Sequence, residues 1–361
     1  MGGTYDFATY VPTLGVGALG TTGFAGYEST SFPTVSQPTY NIKSGAATLP
    51  SLGTVGGTLM VNSVNMTNTL SFSNATDMLN IVSGGLITSA GSIGNSTALS
   101  GALTAGGTAS SGIVDLYLVR PLSSWSTINS NIVDNPNGAR VRAVFSISIG
   151  GGIYMTGLGN SYTGGTVFEG YVLQLLGSGT IVPAAADPAQ GLLITGNSTG
   201  ANRGVELTAS NQIAASNQAT ISGNGGLNLG ASNYSQTLAG LTFNANGGYS
   251  GPSVTGTGTL TLTGSLVSTP TIPGAAATVG VTNLILSGFP VFPVVANSVQ
   301  VNGWDAAPFQ SALTISSAIS VVNGTLSGGI LKTGAGLLQL SSASSTFAGG
   351  VDVEEGGLIF A

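Results

Sequence analysis

Apolar residues recur along this chain in short runs of three to eight, with Ser, Thr or Asn between them and Gly at the ends. Leu59-Met60-Val61, Thr69-Leu70-Ser71-Phe72, Leu79-Asn80-Ile81-Val82, Leu86-Ile87 and Ala102-Leu103-Thr104 are early examples. Alternation with period two puts one side of a strand inward and the other in water. The longest such signals are Ile113 to Arg120 and Ala139 to Ile147. Leu192-Leu193-Ile194, Gly204 to Leu207, Gln218 to Ile221, Leu227-Asn228-Leu229, Leu241-Thr242-Phe243 and Leu260-Thr261-Leu262 follow. Strands this short, set off by Gly rather than joined by helical periods, predict an all-β solenoid of stacked coils. A coil of about 22 residues would add ~4.8 Å along the axis.

Four regions follow from the pattern. Residues 1–50 carry seven aromatics before position 41 (Tyr5, Phe7, Tyr10, Phe24, Tyr27, Phe32 and Tyr40), broken by Pro12, Pro33, Pro38 and Pro50, and read as an irregular aromatic arm or cap. Residues 51–268 read as coils. Residues 269–310, with prolines at 270, 273, 290, 293 and 308, read as a looped insertion holding one strand at Thr282 to Leu286. Coils resume over 311–361. A solenoid has open ends whose backbone groups invite pairing. The arm or cap therefore covers its own first coil, adds to a neighbouring subunit, or stacks its aromatics on a sugar.

An internal repeat sharpens the pattern. Leu331 to Phe360 matches a segment 185 positions earlier, with Gly164/Gly349, Gly165/Gly350, Glu169/Glu354 and Leu173/Leu358 identical and Tyr162 facing Phe347. The paired glycines read as coil corners that need positive φ. These two copies, Lys332-Thr333-Gly334-Ala335-Gly336-Leu337-Leu338-Gln339-Leu340 and Tyr162 to Leu175 above all, resemble the autotransporter-associated β-strand repeat of secreted bacterial surface proteins. The earlier copy lacks the Lys before its glycines, and the later one has Phe347-Ala348 in place of Tyr-Thr. The resemblance implies a right-handed parallel β-helix on a bacterial exterior. It brings no catalytic residue with it.

Composition narrows the functional classes. Of 361 residues only 5% are charged, 58 are Gly, and the formal net charge is −6. Ordinary domains are about a quarter charged, so backbone ladders and small side chains must hold this one together. Six scattered Lys and Arg cannot form the basic surface that nucleic acid needs. With neither Cys nor His, thiolate chemistry, the usual zinc ligand sets and a Ser-His-Asp arrangement are excluded. No apolar run reaches the ~20 residues of a membrane span, and no basic, then apolar, leader opens the chain. The pattern stops in mid-repeat at Phe360-Ala361, as expected of a fragment or an assembly end.

Two charge groups are candidate sites. Asp115, Arg120, Asp134, Arg140, Arg142 and Glu169 form the densest; Asp115 with Arg140 and Arg120 with Arg142 are each about one coil apart. A polysaccharide-binding or polysaccharide-cleaving β-helix would use such a lateral group, whereas a stacked ion pair would be worth only about 0–1 kcal/mol. Asp352, Glu354 and Glu355 could offer oxygen ligands to calcium, but the glycine-rich calcium nonapeptide of β-rolls is absent. The expectation is a non-enzymatic extracellular fibre or adhesin segment of a Gram-negative-type bacterium, without metal or cofactor, that joins head to tail. Tyr5, Phe7, Tyr10, Phe24, Tyr27, Phe32, Leu358 and Phe360 are the expected assembly residues, and a surface glycan is a second possible partner.

Overall fold

A computed structural model describes residues 5–52, 56–89, 91–94, 100–196, 204–244, 251–269, 276–287, 297–301, 311–323, 326–347 and 349–361. The chain is a parallel β-solenoid. It divides into two compact units, Met1–Gly164 and Gly165–Ala361. Among the described residues the sole helix is a single 3-10 turn, Pro188–Gln190, whose first turn is capped by Asp187. Two hairpin pairings are antiparallel: Ala8–Val11 with Gly15–Ala18, and Ala318–Asn323 with Leu326–Ser327.

In the first unit one core column runs through five rungs. Ile42 pairs with Val64, Val64 with Leu86, Leu86 with Leu118, and Leu118 with Phe145. All five are fully buried. Each such side chain contributes roughly 1.5–3 kcal/mol by leaving water. The sequence step between rungs varies while the register holds, because corners absorb the extra residues and strands do not. Leu59 to Leu79 to Leu103 is a second buried column of the same unit.

The second unit repeats the plan. Leu173, Val205, Leu227, Val254, Val279, Ile315, Leu340 and Phe360 are successive register partners. The first seven are buried and Phe360 is 70% exposed. Phe168, Ile194, Ile221, Phe243 and Ser268 form a parallel buried column beside them.

The expected arm or cap lies on its own unit. Parallel pairing already begins at Gln37–Ser44, which pairs with Thr58–Met66. Ser29 bridges Ile42 on the outer edge of that strand, and the Lys43 amide donates to Ser29 O at 3.1 Å. Of the expected insertion, 270–275, 288–296 and 302–310 lie outside the described residues. The described part is in register: Ala277–Ser287 and Asn297–Val301 are rungs.

The paired glycines have distinct physical roles, repeated in both copies. A β-carbon on Gly164 would meet the Val141 carbonyl oxygen at 2.5 Å, and one on Gly349 would run into the Gly328-Gly329 backbone. The second glycine of each pair takes positive φ, +97° at Gly165 and +74° at Gly350. The first glycine thus allows one coil to touch the next, and the second turns the corner. Gly164→Ala should cost about 1–3 kcal/mol because backbone, not a pliant side chain, blocks the methyl. Gly350→Ala, with open space around it, should cost only the ~1–2 kcal/mol of the left-handed conformation. Urea unfolding of the two variants checks the order.

Candidate functional site

Strand Ile113–Arg120 alternates as predicted: Leu116, Leu118 and Arg120 point in, and Asp115, Tyr117 and Val119 point out. Its register partner is the strand Arg140–Met155, which sets Arg142 opposite Asp115, Arg140 opposite Ile113 and Ile147 opposite Arg120. The expected pairings of Asp115 with Arg140 and of Arg120 with Arg142 do not occur, because this coil is longer than the assumed 22 residues. Arg142 instead grips Asp115 through Nε at 2.6 Å and Nη2 at 3.0 Å. The Tyr117 hydroxyl donates to the same carboxylate at 3.0 Å.

Burial alone would raise the Asp115 carboxyl. The hydrogen bonds from Arg142 and Tyr117, with the Arg142 charge, outweigh it and hold the group below its ordinary value. Accepting from Tyr117, Asp115 in turn raises the phenol. A carboxyl lowered in the folded state contributes stability above its unfolded pKa of about 3.9 and loses it as pH falls through the folded value. For a partly exposed pair that contribution is about 0–1 kcal/mol. Urea midpoints at pH 7 and pH 2.5 should therefore differ slightly less in Arg142→Gln than in the parent chain.

The other members of the predicted group do other work. Arg120 is buried, donating from Nε to Ser124 O at 3.0 Å and from Nη1 to Thr88 O at 2.9 Å, with further bonds to Ser89 O and Ser124 Oγ. It ties a corner to the preceding coil. Asp134 accepts from the Val141 amide at 2.7 Å, the Thr163 amide at 2.9 Å and the Thr163 hydroxyl at 2.6 Å, and so braces the Tyr162-Thr163-Gly164 turn. Glu169 is exposed in the second unit, in register with Thr195. Of this predicted group, Asp115 and Arg142 are the two that form an ion pair among the described residues.

Beside that pair lies a groove of about 440 Å³, between the hairpin of Ala8–Val11 with Gly15–Ala18 and the outer face of the coils. Phe7, Leu19, Asn62, Ser83, Tyr117 and Val119 line it. The hairpin is held there by polar contacts. Lys43 Nζ meets Asp6 Oδ1 at 2.5 Å, the Tyr27 hydroxyl donates to the same oxygen at 2.8 Å, and Asn65 Nδ2 donates to Tyr5 O at 2.8 Å. Burial, with Asp6 as hydrogen-bond acceptor and negative neighbour, pushes the Tyr27 phenol up to about 12.

The expected assembly residues fall into two sets. In the first unit Phe32 is buried, Phe24 packs over Gly17, and Phe7 and Tyr27 are half-buried, while Tyr5 and Tyr10 are exposed. In the second unit Leu358 and Phe360 belong to strand Gly357–Phe360, which pairs on one side with Leu337–Leu340. No described strand lies on its other side. Asp352, Glu354 and Glu355 are exposed. Among the described residues no three His, Cys, Asp or Glu side chains are placed to share a metal ion. Nor is any described helix long and apolar enough to cross a membrane.

Sequence reasoning missed the buried polar caps. Lys332, the repeat lysine, is inside, donating to Thr333 O at 3.2 Å, Glu355 O at 2.7 Å and Gly334 O. Desolvation lowers its ammonium, opposed by Glu355. Asn135 and Asn80 cap Gly107, and Gln212 caps Leu175 and Gly177. Lys332, Asn135 and Asn80 precede a glycine by two to four residues, which was the usable signal, whereas Gln212 has no glycine near it in sequence and caps one 35 residues away.

Comparison with family models, curated proteins and solved structures finds no match to this chain.

Proposed function

We propose that this chain is a non-enzymatic structural protein of a bacterial exterior, a β-helical segment of a surface fibre or adhesin that joins head to tail. One observation carries the proposal: coils stack in register from Leu173 to Phe360, eight partners in one column, so each coil face is built to receive another. An apolar rung with an unpaired strand edge favours one more coil on top of it. Where a second copy supplies that coil, the contact is open and heterologous.

The charge pattern supports a mechanical role over a chemical one. Asp115 is held by Arg142, Asp134 by its turn, and Arg120 and Lys332 by carbonyls. An exterior setting fits a fold with few titrating groups and main-chain ladders throughout.

Phe7, Phe24, Tyr27 and Phe32 serve mainly to cover their own unit, so the growing contact is assigned to Gly357–Phe360, with Tyr5 and Tyr10 as the exposed N-terminal aromatics. Electron microscopy and light scattering of the full chain test this. The parent should form filaments or end-to-end rods in a concentration-dependent way, and Leu358→Asp with Phe360→Asp should reduce them at least tenfold with unchanged β circular dichroism. Unaltered assembly in that double variant removes this edge from the mechanism, and monomers at all concentrations remove self-assembly.

A further inference from the structure

The groove under the N-terminal hairpin has a lining that a scaffold alone does not require. Its floor is an outward column of register partners, Asn41 with Ser63 and Gly85 with Tyr117. Phe7 lies on Gly85, where a β-carbon would stand 2.6 Å from its ring. The missing side chain therefore makes room for one aromatic directly beside another, Tyr117, on the next rung. Tyr117 is 42% exposed although it sits in the groove wall.

Around these rings stand neutral hydrogen-bonding groups. Asn62 Nδ2 donates to Asn41 Oδ1 at 2.8 Å, and the Ser63 hydroxyl donates to the same oxygen at 2.7 Å. The Ser83 hydroxyl donates to Asn62 O at 2.6 Å. These bonds fix the groups and leave capacity over: the second Nδ2–H and the Oδ1 of Asn62, and the lone pair that Ser83 Oγ keeps after accepting from the Gly85 amide at 3.3 Å. Tyr117 is fixed too, through Asp115 and then Arg142. Preorganised groups lose little entropy when a guest arrives.

We propose that this groove binds neutral pyranose units of an oligosaccharide, with Phe7 and Tyr117 against the C–H faces of the sugar and Asn62 and Ser83 on its hydroxyls. The negative faces of aromatic rings suit C–H groups that carry partial positive charge. The volume, about 440 Å³, lies in the roughly 300–1,000 Å³ range of small-molecule sites. Charge selects the class. The groove lining is uncharged, the adjoining Arg142 is neutralised by Asp115, and the chain's formal net charge is −6, so a polyanion gains nothing and is repelled. An extended peptide would need a free strand edge; the rungs of the coil wall are paired on both sides, Gly85–Thr88 with Thr58–Met66 and with Ile113–Arg120, and the hairpin strand Ala8–Val11, paired with Gly15–Ala18, presents only a four-residue edge. The proposal does not depend on head-to-tail assembly.

The test uses the full chain with maltohexaose, cellohexaose and laminarihexaose as neutral probes and oligogalacturonate as the acidic one, read by saturation-transfer NMR and calorimetry. At least one neutral probe should bind in preference to oligogalacturonate. Tyr117→Ala, and Ser83→Trp at an exposed position, should each weaken it at least tenfold with unchanged circular dichroism. Tyr117→Phe, which keeps the ring, should stay within about threefold. Binding of none of the neutral probes, preference for oligogalacturonate, or neutral binding indifferent to Ser83→Trp would overturn the assignment.

Discussion

Replacing Arg120 by Ala should destabilise the first unit by about 3–5 kcal/mol, although among the described residues no carboxylate pairs with it. The guanidinium is the sole cation among the described residues bonded to the carbonyls of Thr88, Ser89 and Ser124 at once. Removing it takes the donor from the buried Thr88 carbonyl and the half-buried Ser89 carbonyl, each worth about 1–3 kcal/mol, and leaves a void the size of the side chain, while Ser124 O keeps the Gly152 amide. The loss should appear as a lower urea midpoint. Arg120→Lys should recover only part of it, since one ammonium cannot reach two sides of the corner as a planar fork does. A change below ~1 kcal/mol for Arg120→Ala would mean that water satisfies these carbonyls as well as the guanidinium does.

Phe145→Ala should cost a similar amount, about 3–5 kcal/mol, and its reach is the more informative part. Phe145 is the fifth rung of the column that begins at Ile42. In a stack where each coil touches only its neighbours, damage is local. Amide hydrogen exchange should therefore accelerate in Arg140–Met155 and Ile113–Arg120 and remain slow at Val64 and Ile42, three and four rungs away. Uniform acceleration across the unit would instead indicate a globally cooperative core.

Period-two alternation made the strands legible: Ile113–Arg120 and Gly204–Leu207 are found where the pattern puts them. The glycine corners were legible for the same reason, and the division of labour within each pair emerged only from the approach of Val141 to Gly164. Register was not legible. A fixed coil length matched Asp115 to Arg140, whereas the real step matches it to Arg142, because corners of variable length separate strands that are constant in phase. Charge misled in the same region. Arg120 shares its strand with Asp115 but has the opposite parity, and an inward Arg looks like any surface Arg until its carbonyl acceptors are known.

The N-terminal aromatics were visible as a cluster, yet their resting place depends on Asp6 meeting Lys43, and a sequence separation of 37 gives no hint of that. Breaking the contact tests it. Asp6→Ala should free the hairpin from the face, exposing Phe7 and Leu19 to dye binding and to proteolysis near Pro12.

The most direct test of the stacked-coil account exploits the absence of cysteine from the chain. Thr220 and Thr242 are outward register partners, and Thr242 is in turn opposite Val267. Cysteines at 220 and 242 should stand one rung apart, within the ~4.4–6.8 Å Cα range of a disulfide, and bridge rapidly on oxidation or with a short thiol crosslinker. Cysteines at 220 and 267 should stand two rungs apart, near 10 Å, and stay unbridged. Equal bridging of both pairs, or bridging of neither, would contradict the register of the stacked coils.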